Sequence, residues 1–305
     1  MTQVAVVADA GPRAGLGHLA RCSAVAAALA ARGTAVRAYA LGAPEPVTLD
    51  GVAWTPVASA RAAAAGDAVV LDSYSATAAD LDTGAPVAVF SDGRPPGAAR
   101  LLIATADDGA VGAAGLVGLA YAPLRRAFWG LPPARPREHV ERVLVATGGG
   151  DVGAAAHALV DAAHSGAPGA VVALVRGPLA TGDPPDGVEL VTGATSLAAE
   201  LLRADLVVCS AGQTALEAAA AGAPSVVVAL VDNQRRNATA LDGAGAAVVV
   251  PVEDAAGAAG RLAAAREERA ALSARAQRAV DGYGAFRIAY AVERLARGEA
   301  TLPGA

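Results

Sequence analysis

The feature that most constrains this chain is an alternation of element types that runs twice. Short apolar segments of strand character, Val4 to Ala8, Val36 to Ala40, Ala68 to Leu71, Val87 to Phe90 and Leu101 to Ala104, are interleaved with Ala-rich stretches of helical character, one from about Leu19. A βαβα order needs crossover connections, and these give a parallel sheet covered by helices. Trp129 to Arg137 then interrupts the pattern with Pro132, Pro133 and Pro136, and reads as an interdomain linker. Beyond it the alternation restarts. Strands are expected at Val143 to Thr147, Ala170 to Val175, Val188 to Val191, Leu206 to Cys209, Ser225 to Ala229 and Ala247 to Val250. Helices are expected from about Val152, at Leu197 to Leu202, Thr214 to Ala220 and Asn233 to Leu241, and Ala255 to Arg297 is helical in composition.

Two open α/β domains in tandem follow, with expected boundaries at 1–135 and 136–280 and a C-terminal helix over 281–305 that packs back on the first domain. Such folds place ligands at the carboxyl ends of strands and in the cleft between domains. A length of 305 residues suffices for two cores. Alanine supplies much of the 54% hydrophobic content and aromatics are only 3%, so stacking platforms for sugars or bases are disfavoured. The net charge is -5, the basic groups are all arginines, and no basic stripe is visible, which argues against a nucleic-acid partner. Cys22 and Cys209 lack metal-ligand spacing and no signal peptide precedes the first strand, so a cytoplasmic location is expected. No membrane span is expected either, because the longest apolar stretches, such as Ala215 to Leu230, are broken by Glu217, Gly222 and Pro224.

Four turns carry candidate chemistry. In Gly11 to Cys22, His18 falls where a strand gives way to a helix, and Gly15 and Gly17 let a ligand approach the backbone. A histidine there is either a catalytic group or a cap or surface residue. Ser210-Ala211-Gly212-Gln213-Thr214-Ala215-Leu216-Glu217 follows a strand and opens a helix, a seat for phosphate, with Glu217 placed to accept from ribose hydroxyls. Thr214 and Glu217 also fit a capping box that needs no ligand. Asp232, Asn233, Gln234 and Asn237 offer polar groups to a sugar or phosphate, or a polar first turn with Asp232 as N-cap. Gly148-Gly149-Gly150-Asp151 is a third strand-end turn in the second half. Three such turns in one domain point to a nucleoside diphosphate. Asp80-Leu81-Asp82 has the spacing of a metal-binding pair but reads as ordinary polar loop or helix, so neither metal nor cofactor is expected.

These segments, with Asp72-Ser73-Tyr74, Gly118 to Arg125 and Asp281 to Arg287, resemble in order the UDP-2,4-diacetamido-2,4,6-trideoxy-β-L-altropyranose hydrolase family of pseudaminic acid synthesis. A wider group of spore-coat polysaccharide proteins described as predicted glycosyltransferases shares them. The resemblance implies a GT-B architecture: two Rossmann-like domains with parallel sheets facing across a cleft, the nucleotide held mainly by the C-terminal one. It implies that His18, within Gly17-His18-Leu19-Ala20-Arg21, activates a water, and that Tyr74 lies close to the sugar. Gly212, Gln213, Thr214, Glu217, Asn233 and Gln234 would line the nucleotide and diphosphate. Gly150 stands where the family frequently has serine.

The expected activity is therefore hydrolysis of the anomeric C–O bond of a nucleoside diphosphate sugar, expected to be a UDP-sugar, with inversion. Imidazole titrates near neutral pH and suits the base role. Backbone donors at 210 to 214 would stabilise the departing diphosphate without a metal. Asp72 would orient Arg21 or the substrate, or act as a structural cap; Gly17, Arg21, Gly148, Gly149, Ser210, Ala211 and Asp232 complete the expected binding set. A glycosyltransferase differs only in the nucleophile, an acceptor hydroxyl, and the motifs do not separate the two. A noncatalytic nucleotide-sugar binding subunit is the third alternative. Sugar specificity is expected from loops at 42 to 66 and 92 to 100.

Overall fold

The computed structural model describes residues 2–10, 17–63, 66–81, 83–91, 98–106, 114–148, 153–177, 180, 182–193 and 196–299. The chain divides into two compact units, one running to Trp129 and resuming at Gly282, the other spanning Gly130–Asp281.

The first unit opens with β1 (Gln3–Asp9), α1 (Gly17–Ala31) and β2 (Ala35–Leu41), then β3 (Val47–Leu49) and β4 (Val52–Val57), and adds β5 (Ala68–Asp72), β6 (Val87–Phe90), β7 (Leu101–Ala104) and β8 (Ala114–Val117). The sheet order is β3-β4-β2-β1-β5-β6-β7-β8, parallel except for β3 against β4. β1 and β5 are apolar on both faces and buried throughout their centres, the pattern of an interior parallel strand. The chain leaves β1 toward β2 on one side and returns to its other side as β5. The gap between the ends of β1 and β5 is thus the topological switch point, where such sheets bind ligands.

Part of the expected 42–66 loop is therefore ordered sheet. Asp50 and Gly51 both adopt positive φ, 51° and 78°, and close the β3–β4 hairpin as a two-residue turn. Pro56 is tolerated in β4 because β3 reaches only from Val52 to Trp54, so the proline lies where β4 has no neighbour on that side. Most of the 92–100 loop lies outside the described residues.

The second unit contains β9 (Arg142–Ala146), α2 (Gly153–Gly166), β10 (Val171–Val175), β11 (Glu189–Val191), α3 (Ala198–Arg203), β12 (Leu206–Ser210), α4 (Gln213–Ala221), β13 (Ser225–Val228), α5 (Arg235–Gly243), β14 (Val248–Val249), α6 (Ala255–Ala264) and α7 (Arg266–Ala279). Its sheet, β11-β10-β9-β12-β13-β14, is parallel at every pairing. Here the switch point lies between the ends of β9 and β12. The core is built of Val, Leu and Ala from β9, β10, β12, β13, α2 and α6.

The C-terminal helical segment is three helices. It breaks at Ala265 and again at Val280–Tyr283, where Gly282 has φ 81°, and α8 (Gly284–Ala296) then packs on α1 as part of the first unit. Gly284 lies so close to the Ala122 backbone that a side chain has no room, and Trp129 meets the Phe286 ring edge-on with centroids 4.5 Å apart. Arg287 donates to the Ala120 carbonyl at 2.9 Å and Trp129 Nε1 to Leu124 at 2.8 Å. The 118–125 and 282–287 motifs thus hold each other. The Glu293 carboxylate accepts from Arg32 and, at 2.8 Å, from the Thr34 hydroxyl.

Candidate active site

In the first unit, one residue at the end of β5 gathers the predicted groups. Asp72 is 1% exposed, and His18, the second residue of α1, donates from Nδ1 to its Oδ1 at 2.6 Å. Arg21, one helical turn further along the same face, pairs through Nε with Oδ2 and through Nη2 with Oδ1 at 2.6 Å. The Arg21 Nη2 and His18 Nδ1 stand 3.3 Å apart, two donors sharing one carboxylate oxygen. Burial alone would raise the Asp72 carboxyl pKa; the charge of Arg21 and the hydrogen bonds from His18 and Arg21 instead hold it at about 2. An ionised carboxylate can only accept, so the neutral imidazole carries its proton on Nδ1 and its lone pair on Nε2. That is the tautomer a general base requires.

Tyr74, two residues beyond β5, presents its ring to the imidazole edge-on, with centroids 4.4 Å apart and planes at 88°. His18 itself is 4% exposed whereas Tyr74 is 37% exposed. The Arg21 guanidinium also lies over Phe90, 5.3 Å from its centroid. Gly17 is the exposed first residue of α1, with open space where a Cβ would stand. Arg21, expected to meet substrate, is turned onto Asp72. The stretch 11–16, including Gly15, lies outside the described residues.

Asp9, the last residue of β1, was not among the expected site residues. Its buried carboxylate accepts from the Tyr74 N–H at 2.6 Å, the Ser73 hydroxyl at 2.6 Å and the Ser75 hydroxyl at 2.9 Å. The signal in the sequence is a carboxylate closing an otherwise apolar strand. A buried carboxylate needs donors, and none stands beside it in the chain.

The second unit assembles its residues at its own switch point. Ser210 ends β12 and donates from Oγ to the Thr147 carbonyl at 3.0 Å, tying the β12 turn to the β9 turn. Gly148, just past that carbonyl, has φ 97°, the left-handed conformation glycine permits. Gly149, Gly150 and Asp151 lie outside the described residues. Gly212 is the N-cap of α4 and Gln213 its first residue. Thr214 is therefore inside the helix and not its cap, and no capping box with Glu217 forms. The first-turn amides of α4 remain the natural donors for an anion. Ala211 differs from that expectation: its N–H donates to Val228 at 2.9 Å and its carbonyl accepts from Asn237 Nδ2 at 3.2 Å.

Gln234 accepts from the Leu230 N–H at 2.9 Å and turns its amide nitrogen toward Gly212. Asp232 and Asn233 are exposed in a single 3₁₀ turn, Asp232–Gln234, and Asp232 pairs with Arg235 at 3.0 Å; Gln234 is the N-cap of α5. Glu217 is buried at the middle of α4, near Cys209, whose thiol is pushed up to about 12 by burial and by the Glu217 charge. The Asp80 carboxylate is committed to Thr77, accepting from its N–H at 2.7 Å and its hydroxyl at 2.8 Å, and Asp82 lies outside the described residues. Among the described residues no group of three or more His, Cys, Asp or Glu is arranged to hold a metal, and no helix is long and apolar enough to cross a membrane.

Residues 182–280 match the Glycosyltransferase family 28 C-terminal domain. No protein of curated function matches the chain. Among solved structures, the chain is similar to the glycotransferase of kitacinnamycin, with 19% identity, 96% of this chain and 99% of that one covered, and a TM-score of 0.64. It is similar to the spinosyn forosaminyltransferase SpnP, with 17% identity, coverage of 97% and 99%, and a TM-score of 0.66. The glycosyltransferase SsfS6 of Streptomyces sp. SF2575, complexed with thymidine diphosphate, matches at 17% identity, with coverage of 96% and 100% and a TM-score of 0.61. The fold is that of the GT-B glycosyltransferases, with two Rossmann-like α/β units. These matches correct the expected hydrolase activity: the matched family domain and the structures named above are glycosyltransferases. The physical reason for the error is that water and an acceptor hydroxyl ask the same of a base.

Proposed function

We propose that this chain is a glycosyltransferase that moves a sugar from a nucleoside diphosphate donor to an acceptor hydroxyl, with His18 as the general base. The observation that carries this reading is the 2.6 Å bond from His18 Nδ1 to a buried, ionised Asp72, which directs the imidazole lone pair to Nε2. In the transfer, Nε2 takes the acceptor O–H proton, the acceptor oxygen bonds the anomeric carbon, and the anomeric C–O bond to the diphosphate breaks, its electron pair leaving with the nucleoside diphosphate. A single displacement inverts the anomeric centre. Asp72 orients the imidazole and stabilises its protonated form, and Arg21 holds Asp72.

The second unit would bind the donor's nucleoside diphosphate. Its support is the α4 helix start at the β9–β12 switch point, with Gly148 and Gly212 leaving backbone accessible and Ser210, Gln234 and Asn237 bracing the turns. Glu217 is assigned the ribose hydroxyls, and Asn233 and Asp232 the exposed rim. The family 28 domain match covers the α4 and α5 turns of this unit but not the β9 turn, and the related SsfS6 structure holds thymidine diphosphate.

The test is donor consumption by the purified chain, using uridine and thymidine diphosphate sugars with and without a panel of hydroxyl acceptors. Consumption that depends on acceptor, falls about 10²-fold or more in His18→Ala and leaves nucleoside diphosphate binding intact supports the reading. Sugar release at the full rate without acceptor, or a His18→Ala chain with unchanged turnover, overturns it.

A further inference from the structure

Asp9 makes no hydrogen bond to His18, Asp72 or Arg21, yet it organises the segment that carries the ring against His18. In the sheet Ala8 pairs with Asp72, so Asp9 stands one residue past the level at which β5 ends. From there its two oxygens collect four donors of the next three residues. Oδ1 accepts from Ser73 Oγ at 2.6 Å and Ser75 Oγ at 2.9 Å, and Oδ2 accepts from Tyr74 N at 2.6 Å and Ser75 N at 3.3 Å. Ser73 Oγ in turn accepts from Ser75 N at 3.0 Å and Ala76 N at 2.8 Å. The whole 73–76 loop is wound on one carboxylate that is only 6% exposed.

A carboxylate withdrawn from solvent is costly unless fully bonded, and here the bonding fixes a backbone whose one large side chain is Tyr74. That ring meets the imidazole at 4.4 Å, edge to face. His18 Nδ1 is pinned by Asp72, so the remaining freedom of the imidazole is rotation about that bond, and the Tyr74 ring limits it. We infer that Asp9 is a positioning residue: through the 73–76 loop it holds Tyr74 against His18 and thereby aims Nε2 at the acceptor hydroxyl. The inference rests on the proposed base role of His18 for its catalytic part, but the Asp9–Tyr74–His18 linkage stands on geometry alone.

The experiment reads the linkage without turnover. The full chain has four histidines, and with the ring Cε1 positions labelled the His18 resonance is the one lost in His18→Gln. An aromatic ring edge-on at this distance displaces that resonance, and Tyr74→Ala removes the displacement. The expected result is that Asp9→Ala moves the His18 resonance in the same direction as Tyr74→Ala, that Asp9→Asn moves it less, and that Asp9→Ala adds nothing in a Tyr74→Ala background. In donor consumption the same set should show about a tenfold loss of kcat for Asp9→Ala, again with nothing added over Tyr74→Ala. A His18 resonance unmoved in folded Asp9→Asn and Asp9→Ala, or losses that multiply in the double variant, overturns the inference. If His18→Ala keeps full turnover while the resonance still follows Asp9, the base assignment fails and the linkage survives.

Discussion

Replacing Asp72 by Asn tests the central geometry through both stability and rate. The carboxylate is held at about 2 in the folded chain, first against burial, then by the charge of Arg21 and the bonds from His18 and Arg21, whereas its ordinary value is 3.8. A folded pKa below the unfolded one means that ionisation favours the folded state. The contribution is complete above pH 4 and is lost as pH falls from about 4 to about 2. The difference corresponds to about 2 kcal/mol. Asp72→Asn removes that contribution, so at pH 7 it should unfold more easily by about this amount. Its stability relative to wild type should then recover as pH falls through the window, because wild type loses there what the variant never had. The assay is urea unfolding of both chains at pH values from 7 to 2.5, followed by a probe in the first unit. The same change affects rate, since the asparagine amide can offer a donor where Nδ1–H needs an acceptor, which moves the imidazole proton to Nε2. The expected loss in acceptor-dependent turnover is about 10²-fold or more. An unfolding difference that stays constant across the window, together with turnover within threefold of wild type, would refute the reasoning.

Two further outcomes follow from burial and backbone geometry. Cys22 is raised well above the ordinary thiol value by burial and by Asp72, and Cys209 is pushed up to about 12, so neither should react with a thiol reagent at pH 8 until the chain is unfolded, when both do; rapid labelling of the native chain would contradict this. Gly222 closes α4 with φ 66°, and an added Cβ would meet the Ala134 Cβ at 2.5 Å and Gln277 Cδ at 2.8 Å, so Gly222→Ala should destabilise the second unit by about 2 kcal/mol or more, read as a shift in its unfolding midpoint.

How far the sequence carried the fold and site depends on the range of the forces involved. The interior strands were legible because an interior parallel strand must be apolar on both faces, as Val4 to Ala8 and Leu206 to Cys209 are, whereas the edge strand β8, Ala114–Val117 with Gly115 in it, was not among the expected strands. β3 and β4 escaped because Pro46 and Pro56 argue against strand locally; what overrides them is the Asp50-Gly51 turn and an edge that leaves Pro56 unopposed. His18 and Arg21 were visible as neighbours three apart on a helix, but the partner that gives them a common purpose stands 54 residues from His18. Only the β1–β5 register brings Asp72 beside them. The Glu217 capping reading failed for a related reason. Gly212 is the N-cap of α4, two residues before Thr214, a boundary set where β12 ends at the switch point rather than by a capping side chain.

Asp72 has a local sequence motif and Asp9 has none. Asp72 precedes a tyrosine in a motif, whereas Asp9 is a single acidic residue at the end of an apolar strand, and its bonds all run to residues 64 to 66 positions away. Both carboxylates end neighbouring strands of one parallel pair, one residue out of step. That offset divides their work: Asp72 reaches the helix that follows β1, and Asp9 reaches the loop that follows β5. Each strand end therefore supports the chain leaving its neighbour, so the imidazole and the ring against it are fixed from opposite sides by one sheet. A substitution that slips either β1 or β5 by a single residue would turn that strand's carboxylate to the other face. The site depends on that register more than on any one of its side chains.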